Sequence, residues 1–70
     1  MDTELLSESI QVERKFFFFD LKENARGQFL RITEDVSGRR DAIVVPATGL
    51  QDFREAIDRV IARLEQENNS

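Results

Sequence analysis

The stretch KFFFFDLKENARGQFLRITE, which runs from Lys15 to Glu34, contains two largely apolar runs separated by a turn sequence. The residues Asn24-Ala25-Arg26-Gly27 are typical of a hairpin turn, because asparagine and glycine accept backbone conformations that most residues avoid. The runs on either side, at about 14–24 and 27–36, therefore predict two antiparallel strands. This hairpin decides the fold, since the remaining segments must extend its sheet or pack against it.

The four consecutive phenylalanines of this stretch cannot all enter one core, because side chains of a strand point alternately to opposite faces of the sheet. One predicted face is apolar and carries Phe17, Phe19, Leu21, Leu30, Ile32 and Val36. The other face mixes rings with polar and charged groups: Phe16, Phe18, Asp20, Lys22, Phe29, Arg31, Thr33 and Asp35. The apolar face requires a cover, and the mixed face is the candidate site for a ligand.

The segments outside the hairpin complete an α+β fold. Weaker alternation predicts strands at about 4–12 and 41–45, the latter after a turn at Ser37-Gly38-Arg39-Arg40. Apolar residues spaced three and four apart predict a helix over about 49–66, with Thr48 as its N-cap. The predicted fold is a four-stranded antiparallel sheet followed by one C-terminal helix. One helix cannot cover both sheet faces, so one face stays open to solvent, a ligand or another subunit.

Composition excludes several classes of site. The 70 residues include no cysteine and no histidine, which removes disulfides, zinc sites built on these ligands and a Ser-His-Asp triad. Glu34 and Asp35 are adjacent on a predicted strand and point to opposite faces, so they do not form a catalytic carboxylate pair. We expect no enzymatic activity, metal, cofactor or small-molecule substrate. A chain this short is marginally stable alone, which favours oligomerisation.

The net charge of -4 is unevenly distributed along the chain. Residues 1–13 contribute -4, residues 14–31 contribute +3, and the two remaining segments contribute -1 and -2. The basic middle coincides with the mixed face of the hairpin. Rings interleaved with cations on an open sheet suit single-stranded nucleic acid, because bases stack on the rings while lysine and arginine hold phosphates. The same spacing is also consistent with an apolar layer at a dimer interface.

The hairpin sequence resembles the PUR repeat of the Pur-alpha-like, purine-rich-element binding proteins. That repeat has an aromatic strand followed by a K-x-N-x-(K/R)-G-x-F-(L/I)-(K/R)-I run and, later, a helix that opens near an (E/D)FR step. The run is matched here by Lys22, Asn24, Arg26, Gly27, Phe29, Leu30, Arg31 and Ile32, and the step by Asp52-Phe53-Arg54. The similarity extends over about residues 4–66, so residues 1–70 are interpreted as a single PUR-like repeat of the bacterial type.

The resemblance implies a ββββα repeat that intertwines with a second copy as a homodimer. It also implies binding of single-stranded DNA or RNA with a leaning towards purine-rich, G-rich sequences. Carried over by position, the implied contacts are Lys22, Asn24, Arg26, Phe29 and Arg31, and Phe16 and Phe18 become supports or stacking platforms beneath them. The resemblance does not choose between DNA and RNA.

A second hypothesis remains open at this stage: a non-catalytic, dimeric protein-interaction or scaffold domain on the same fold, with weak or no nucleic-acid binding. Under either hypothesis we expect a cytoplasmic protein without a membrane segment. The first ten residues have no basic segment followed by a long apolar run, as a signal peptide would, and no apolar stretch reaches the length of a membrane span.

Overall fold

The computed structural model describes residues 1–68 and confirms the predicted α+β class. Four strands, β1 (Thr3–Val12), β2 (Lys15–Asn24), β3 (Gly27–Val36) and β4 (Arg39–Pro46), precede a 3-10 turn at Ala47–Gly49 and the helix α1 (Leu50–Asn68). The strands form one antiparallel sheet in the order β1-β2-β3-β4. The sheet is therefore a simple meander, as short connections between antiparallel strands require.

Backbone conformation explains how the tight connections form. Ser37 and Gly38, between β3 and β4, both have positive φ, at 54° and 86°. Two successive positive φ values are the requirement of the type I′ hairpin turn, whose twist matches that of the flanking strands. The turn occupies these two residues alone, so Arg39 and Arg40, which the sequence placed in the turn, belong to β4. The fourth strand is thus longer than the 41–45 expected.

The start of the helix also differs from expectation. Thr48 was predicted to cap the helix, but it lies inside the 3-10 turn that follows Pro46. Pro46 fixes its own φ at -57° and leads directly into this turn. The chain therefore begins to coil one residue after β4 ends.

The cross-strand register assigns each side chain to one of two faces. The apolar face carries Leu6 and Ile10 of β1, Phe17, Phe19 and Leu21 of β2, Leu30 and Ile32 of β3, and Ile43 and Val45 of β4. The mixed face carries Glu4, Ser7, Ser9 and Gln11 of β1, Phe16, Phe18, Asp20 and Lys22 of β2, Phe29, Arg31, Thr33 and Asp35 of β3, and Arg40, Ala42 and Val44 of β4. The division of the four phenylalanines is the one that alternation predicts.

The helix does not cover the apolar face of its own sheet. It contacts the 3-10 turn, which in turn contacts β3, and no side chain among residues 1–67 is fully buried. Ile57, Val60 and Leu64 on α1 are 47%, 61% and 54% exposed, and Leu6 on the sheet is 54% exposed. The Cα radius of gyration is 14.7 Å, whereas a compact domain of this length has one of about 11 Å. The single chain is therefore open, with two unpaired apolar surfaces.

Gly38 and Gly49 provide a matched test of the β3–β4 turn. A Cβ at either position meets no atom within 4 Å, but only Gly38 has a positive φ. We expect Gly38→Ala to lower the free energy of unfolding by about 1 kcal/mol, because the left-handed conformation is unfavourable for alanine. Gly49→Ala should leave it unchanged or raise it by about 0.5 kcal/mol. Urea unfolding at one protein concentration measures both, and equal effects would contradict the turn assignment.

Candidate nucleic-acid interface

The predicted site residues gather at one end of the β2–β3 hairpin. Lys22 pairs across the strands with Phe29, and Asn24 pairs with Gly27 at the turn. Arg31 lies two positions further along β3, opposite Asp20, and Arg26 is in the turn itself. The structure thus brings Lys22, Asn24, Arg26, Phe29 and Arg31 together on the mixed face and its adjoining turn. Their roles as nucleic-acid contacts stay a prediction.

Phe29 forms the floor of a shallow groove beside the turn. Its cross-strand neighbours are Lys22 on β2 and Pro46 on β4, and the ring is half-buried. The groove is lined by Asn24, Arg26, Gly27, Gln28, Phe29, Val44 and Pro46. An apolar floor with cations at its margin is the arrangement that a stacked base and its phosphates require.

Asn24 supports the predicted turn through its side chain and not through an unusual backbone conformation, since Glu13 and Ser37 are the non-glycine residues with positive φ within 1–68. Its Oδ1 accepts a hydrogen bond of 2.9 Å from the backbone N–H of Arg26. This is the Asx type of turn, in which a short amide side chain replaces a backbone partner. The bond fixes the turn that presents Arg26, and it leaves the side-chain NH₂ of Asn24 pointing to no partner among residues 1–68. Asn24 therefore positions the turn whether or not it contacts a base.

Phe16 and Phe18 lie further along β2, away from the predicted site residues at the turn end of the hairpin. Phe16 is at the far end of β2, six residues from Lys22, which in an extended strand is about 20 Å. It pairs with Gln11 and Asp35 and is 43% exposed. Phe16 is thus separated from the turn end of the hairpin.

Phe18 is covered on one side by an arginine that the sequence analysis did not select. The guanidinium carbon of Arg40 lies 5.7 Å from the centre of the Phe18 ring, within cation–π range. The Arg40 Nε also donates to Asp35 Oδ2 at 2.8 Å. Asp35 Oδ1 in turn accepts from the backbone N–H of Gly38 at 3.0 Å, which ties this group to the β3–β4 turn. Arg40 is held over the mixed face, and Phe18 is its support.

Arg40 was missed because it was assigned to the turn. The signal that would have found it is the Ser37-Gly38 pair, which can complete a two-residue turn and leave both arginines to the strand. The register then places Arg40 opposite Asp35 on the mixed face and Arg39 opposite Val36 on the apolar face.

The two faces differ in charge as well as in hydrophobicity. From β2 to β4 the mixed face carries three cations and two carboxylates: Lys22, Arg31 and Arg40 with Asp20 and Asp35. The apolar face over the same strands carries two cations and three carboxylates: Lys15 and Arg39 with Glu23, Glu34 and Asp41. Around Phe29 the cations are Lys22, Arg31 and, at the turn, Arg26, and the opposing charges on the mixed face are Asp20 and Glu4 of β1, which pairs with Lys22.

One ion pair spans the apolar face at its margin. Lys15 Nζ lies 2.9 Å from Glu34 Oε2. The hydrogen bond and the charge of Glu34 raise the pKa of Lys15 above its ordinary value. Both groups are thereby occupied with each other on the side of the sheet opposite to Lys22 and Phe29.

Neither a metal centre nor a membrane-spanning helix is found within residues 1–68. The acidic side chains of that range do not gather in a group of three that would hold a cation, and α1 is too polar to cross a bilayer. The mixed face is the surface that remains as a candidate site.

Asn24 can be tested without any ligand. We expect Asn24→Ala to lower the free energy of unfolding by about 1 kcal/mol, because the N–H of Arg26 loses its acceptor. Asn24→Asp keeps an acceptor at the same place and should retain most of the stability. Urea unfolding of the two variants beside the unchanged chain gives the comparison. Equal losses would show that the Asx hydrogen bond does not stabilise the turn.

Comparison with known proteins identifies the family. The family model described as PurA ssDNA and RNA-binding protein matches residues 1–70. The Arabidopsis thaliana protein named transcription factor Pur-alpha 1 is 44% identical over 66 residues, which cover 94% of this chain and 22% of that protein. Human transcriptional activator protein Pur-alpha is 41% identical over 64 residues, covering 81% and 20%.

A third relative, the Caenorhabditis elegans transcriptional activator plp-1, is 47% identical over 55 residues, covering 76% of this chain and 24% of that protein. The chain therefore spans between a fifth and a quarter of the length of these three relatives. The family match and the identities agree with the ββββα order and with the motif on the β2–β3 hairpin. The chain belongs to the PurA family of single-stranded DNA and RNA-binding proteins.

Proposed function

We propose that this chain binds single-stranded DNA or RNA through the turn end of the mixed face, without catalysis. The observation that carries the proposal is Phe29, a half-buried ring that pairs with Lys22 and lines one groove with Arg26, in a chain that belongs to a family of single-stranded nucleic-acid binding proteins. Stacking needs only the π-face of a base, so this site accepts both DNA and RNA. Purines offer the larger ring to stack, which favours purine-rich strands.

The cations of the mixed face have separate positions relative to Phe29. Lys22 is beside the ring, Arg31 is two residues along β3, and Arg40 is held further along the sheet over Phe18. A single strand whose base stacks on Phe29 can lay its flanking phosphates along this row. Phe18 then acts through Arg40, as a support for a phosphate contact rather than as a base platform.

We further propose that the binding form is a homodimer in which each helix covers the apolar face of the other copy's sheet. The apolar stripe of α1 and the apolar face of the sheet are both exposed within one chain, and both are hydrophobic. Burying apolar surface stabilises by about 25 cal/mol per Å², and a chain in which none of residues 1–67 is fully buried gains little of this alone. A second copy satisfies both surfaces and leaves the two mixed faces outward.

Binding is tested by fluorescence anisotropy of a short labelled purine-rich single strand at two salt concentrations. We expect a dissociation constant in the micromolar range or tighter, weakened by salt because bound phosphates displace counterions. Phe29→Ala should weaken binding by about 5- to 100-fold through the loss of stacking. Lys22→Ala should weaken it and reduce the slope against log salt by about 0.7.

Lys15→Ala is the matched control for Lys22→Ala, because it removes the same charge from the opposite face of the same strand. It should leave the affinity within about twofold. Failure of the unchanged chain to bind any single strand at low salt would reject the proposal. A dimer that binds no nucleic acid but retains a protein partner would instead support the scaffold hypothesis.

Assembly is tested by sedimentation equilibrium. We expect twice the chain mass of 8.1 kDa at micromolar concentration. Ile57→Glu should prevent association and lower the helical circular dichroism signal, because it places a charge in the stripe. Glu55→Arg, on the side of α1 opposite to the apolar stripe, should leave the mass unchanged. A folded monomer at micromolar concentration would contradict the dimer.

A further inference from the structure

Asp20 is a carboxylate in the middle of the proposed binding face. It lies on β2 between Phe18 and Lys22 along the mixed face, and its cross-strand neighbours are Ser7 on β1 and Arg31 on β3. Its side chain is half-buried. A negative charge at this place opposes the binding of phosphate, so phosphate binding does not account for it.

The carboxylate is fixed in orientation yet retains an open oxygen. The Ser7 hydroxyl donates a hydrogen bond of 2.7 Å to Asp20 Oδ1. No cation among residues 1–68 forms an ion pair with Asp20, and no donor in that range bonds to its Oδ2. Asp20 thus behaves as an oriented acceptor and not as the partner of a neighbouring arginine.

Asp20 lines a groove whose volume and cationic side chains suit a nucleotide. The groove has a volume of about 290 Å³ and is lined by Asp20, Lys22, Arg31, Thr33, Arg40, Asp41 and Ala42. The flanking cations can hold phosphates on either side while a base enters between them. The Asp20–Arg31 pair lies two residue pairs along the sheet from the Lys22–Phe29 pair and is the next one on the same face, so a base here is adjacent to the one stacked there.

The chemistry of the bases decides which one an oriented carboxylate accepts. Single strands expose the Watson–Crick edges of their bases to the protein. On that edge guanine presents two adjacent donors, N1–H and the 2-amino group, which match the two oxygens of a carboxylate in a paired, charge-assisted arrangement. Adenine and cytosine each present one donor beside an acceptor, and an acceptor facing a carboxylate is repelled. Thymine and uracil present one donor between two acceptors.

We propose that Asp20 is the residue that selects guanine, by accepting N1–H and the 2-amino group of a base in this groove, with Ser7 as its positioning residue. The inference rests on the proposed function, because it assigns base selectivity to the same surface. Under this proposal Lys22, Arg31 and Arg40 contribute affinity for the phosphates. Asp20 contributes the preference for guanine. The negative charge is then tolerated because it distinguishes one base from the others.

The test uses three short labelled strands of one length: adenine throughout, adenine with guanines at fixed positions, and the same strand with hypoxanthine in place of guanine. Hypoxanthine lacks the 2-amino group and retains N1–H. The unchanged dimer should bind the guanine strand about tenfold more tightly than the adenine strand, with the hypoxanthine strand between them. This arm requires no variant protein.

Asp20→Asn should abolish the preference, because an amide presents one donor and one acceptor and so suits adenine. Binding of the adenine strand should be unchanged or tighter, since a negative charge has been removed. Glu23→Gln is the matched control: it removes one charge from the same strand on the opposite face, where Glu23 accepts from Gln28. It should keep the tenfold guanine preference.

An unaltered guanine-to-adenine ratio in Asp20→Asn would overturn this inference while leaving the proposed function standing. Equal binding of guanine and hypoxanthine strands would also overturn it, since the 2-amino contact would then be absent. A dimer that binds none of the three strands would reject the inference together with the proposed function.

Discussion

The register of the β2–β3 hairpin is the constraint on which the rest of the structure depends. If β2 slipped by one residue against β3, its side chains would exchange faces: Phe17 and Phe19 would move to the mixed face and Lys22 to the apolar face. Two local features oppose the slip at the turn: the Asn24 side chain accepts from the Arg26 N–H, and Gly27 adopts a φ of 132°. The turn that carries Arg26 therefore also holds the strand register, and the register keeps the charged side chain of Lys22 off the apolar face.

Separation of the faces allows one small sheet to carry two surfaces with different requirements. The apolar face gains stability in proportion to the area it buries, so its exposed state in a single chain is costly. The role proposed for the mixed face requires it to remain wet and charged, because binding a strand exchanges water and counterions for nucleic acid. The proposed partner chain and the proposed nucleic acid would therefore contact different side chains, because they lie on opposite faces of the sheet.

The sequence predicted the helix because the apolar residues of α1 recur every three to four positions. It predicted the β2–β3 hairpin because two strand-forming runs flank a turn sequence, although Phe16 to Phe19 do not alternate in polarity. It predicted the clustering of Lys22 and Phe29 because a short turn leaves little freedom in register. It missed Arg40 because the length of the β3–β4 turn depends on Ser37 adopting a positive φ, which is uncommon outside glycine. It also missed the 3-10 turn at Thr48, where the constraint of Pro46 prevails over the capping preference.

Net acidity is compatible with this surface because charges act over a limited distance. The Debye length at physiological ionic strength is about 8 Å, whereas a ten-residue strand is about 33 Å long. The acidic groups on the outer side of α1 and Glu13, at the far end of β1, are thus largely screened from a phosphate beside Lys22, whereas Glu4 lies opposite Lys22 and is not. What that phosphate senses is the local set of Lys22, Arg26 and Arg31, opposed by Glu4, which pairs with Lys22 across β1–β2, and by Asp20. A carboxylate in the position of Asp20 repels the phosphates of every strand to the same extent. Only a base that donates hydrogen bonds to it offsets this repulsion, and in this way a weakly cationic surface can discriminate between sequences.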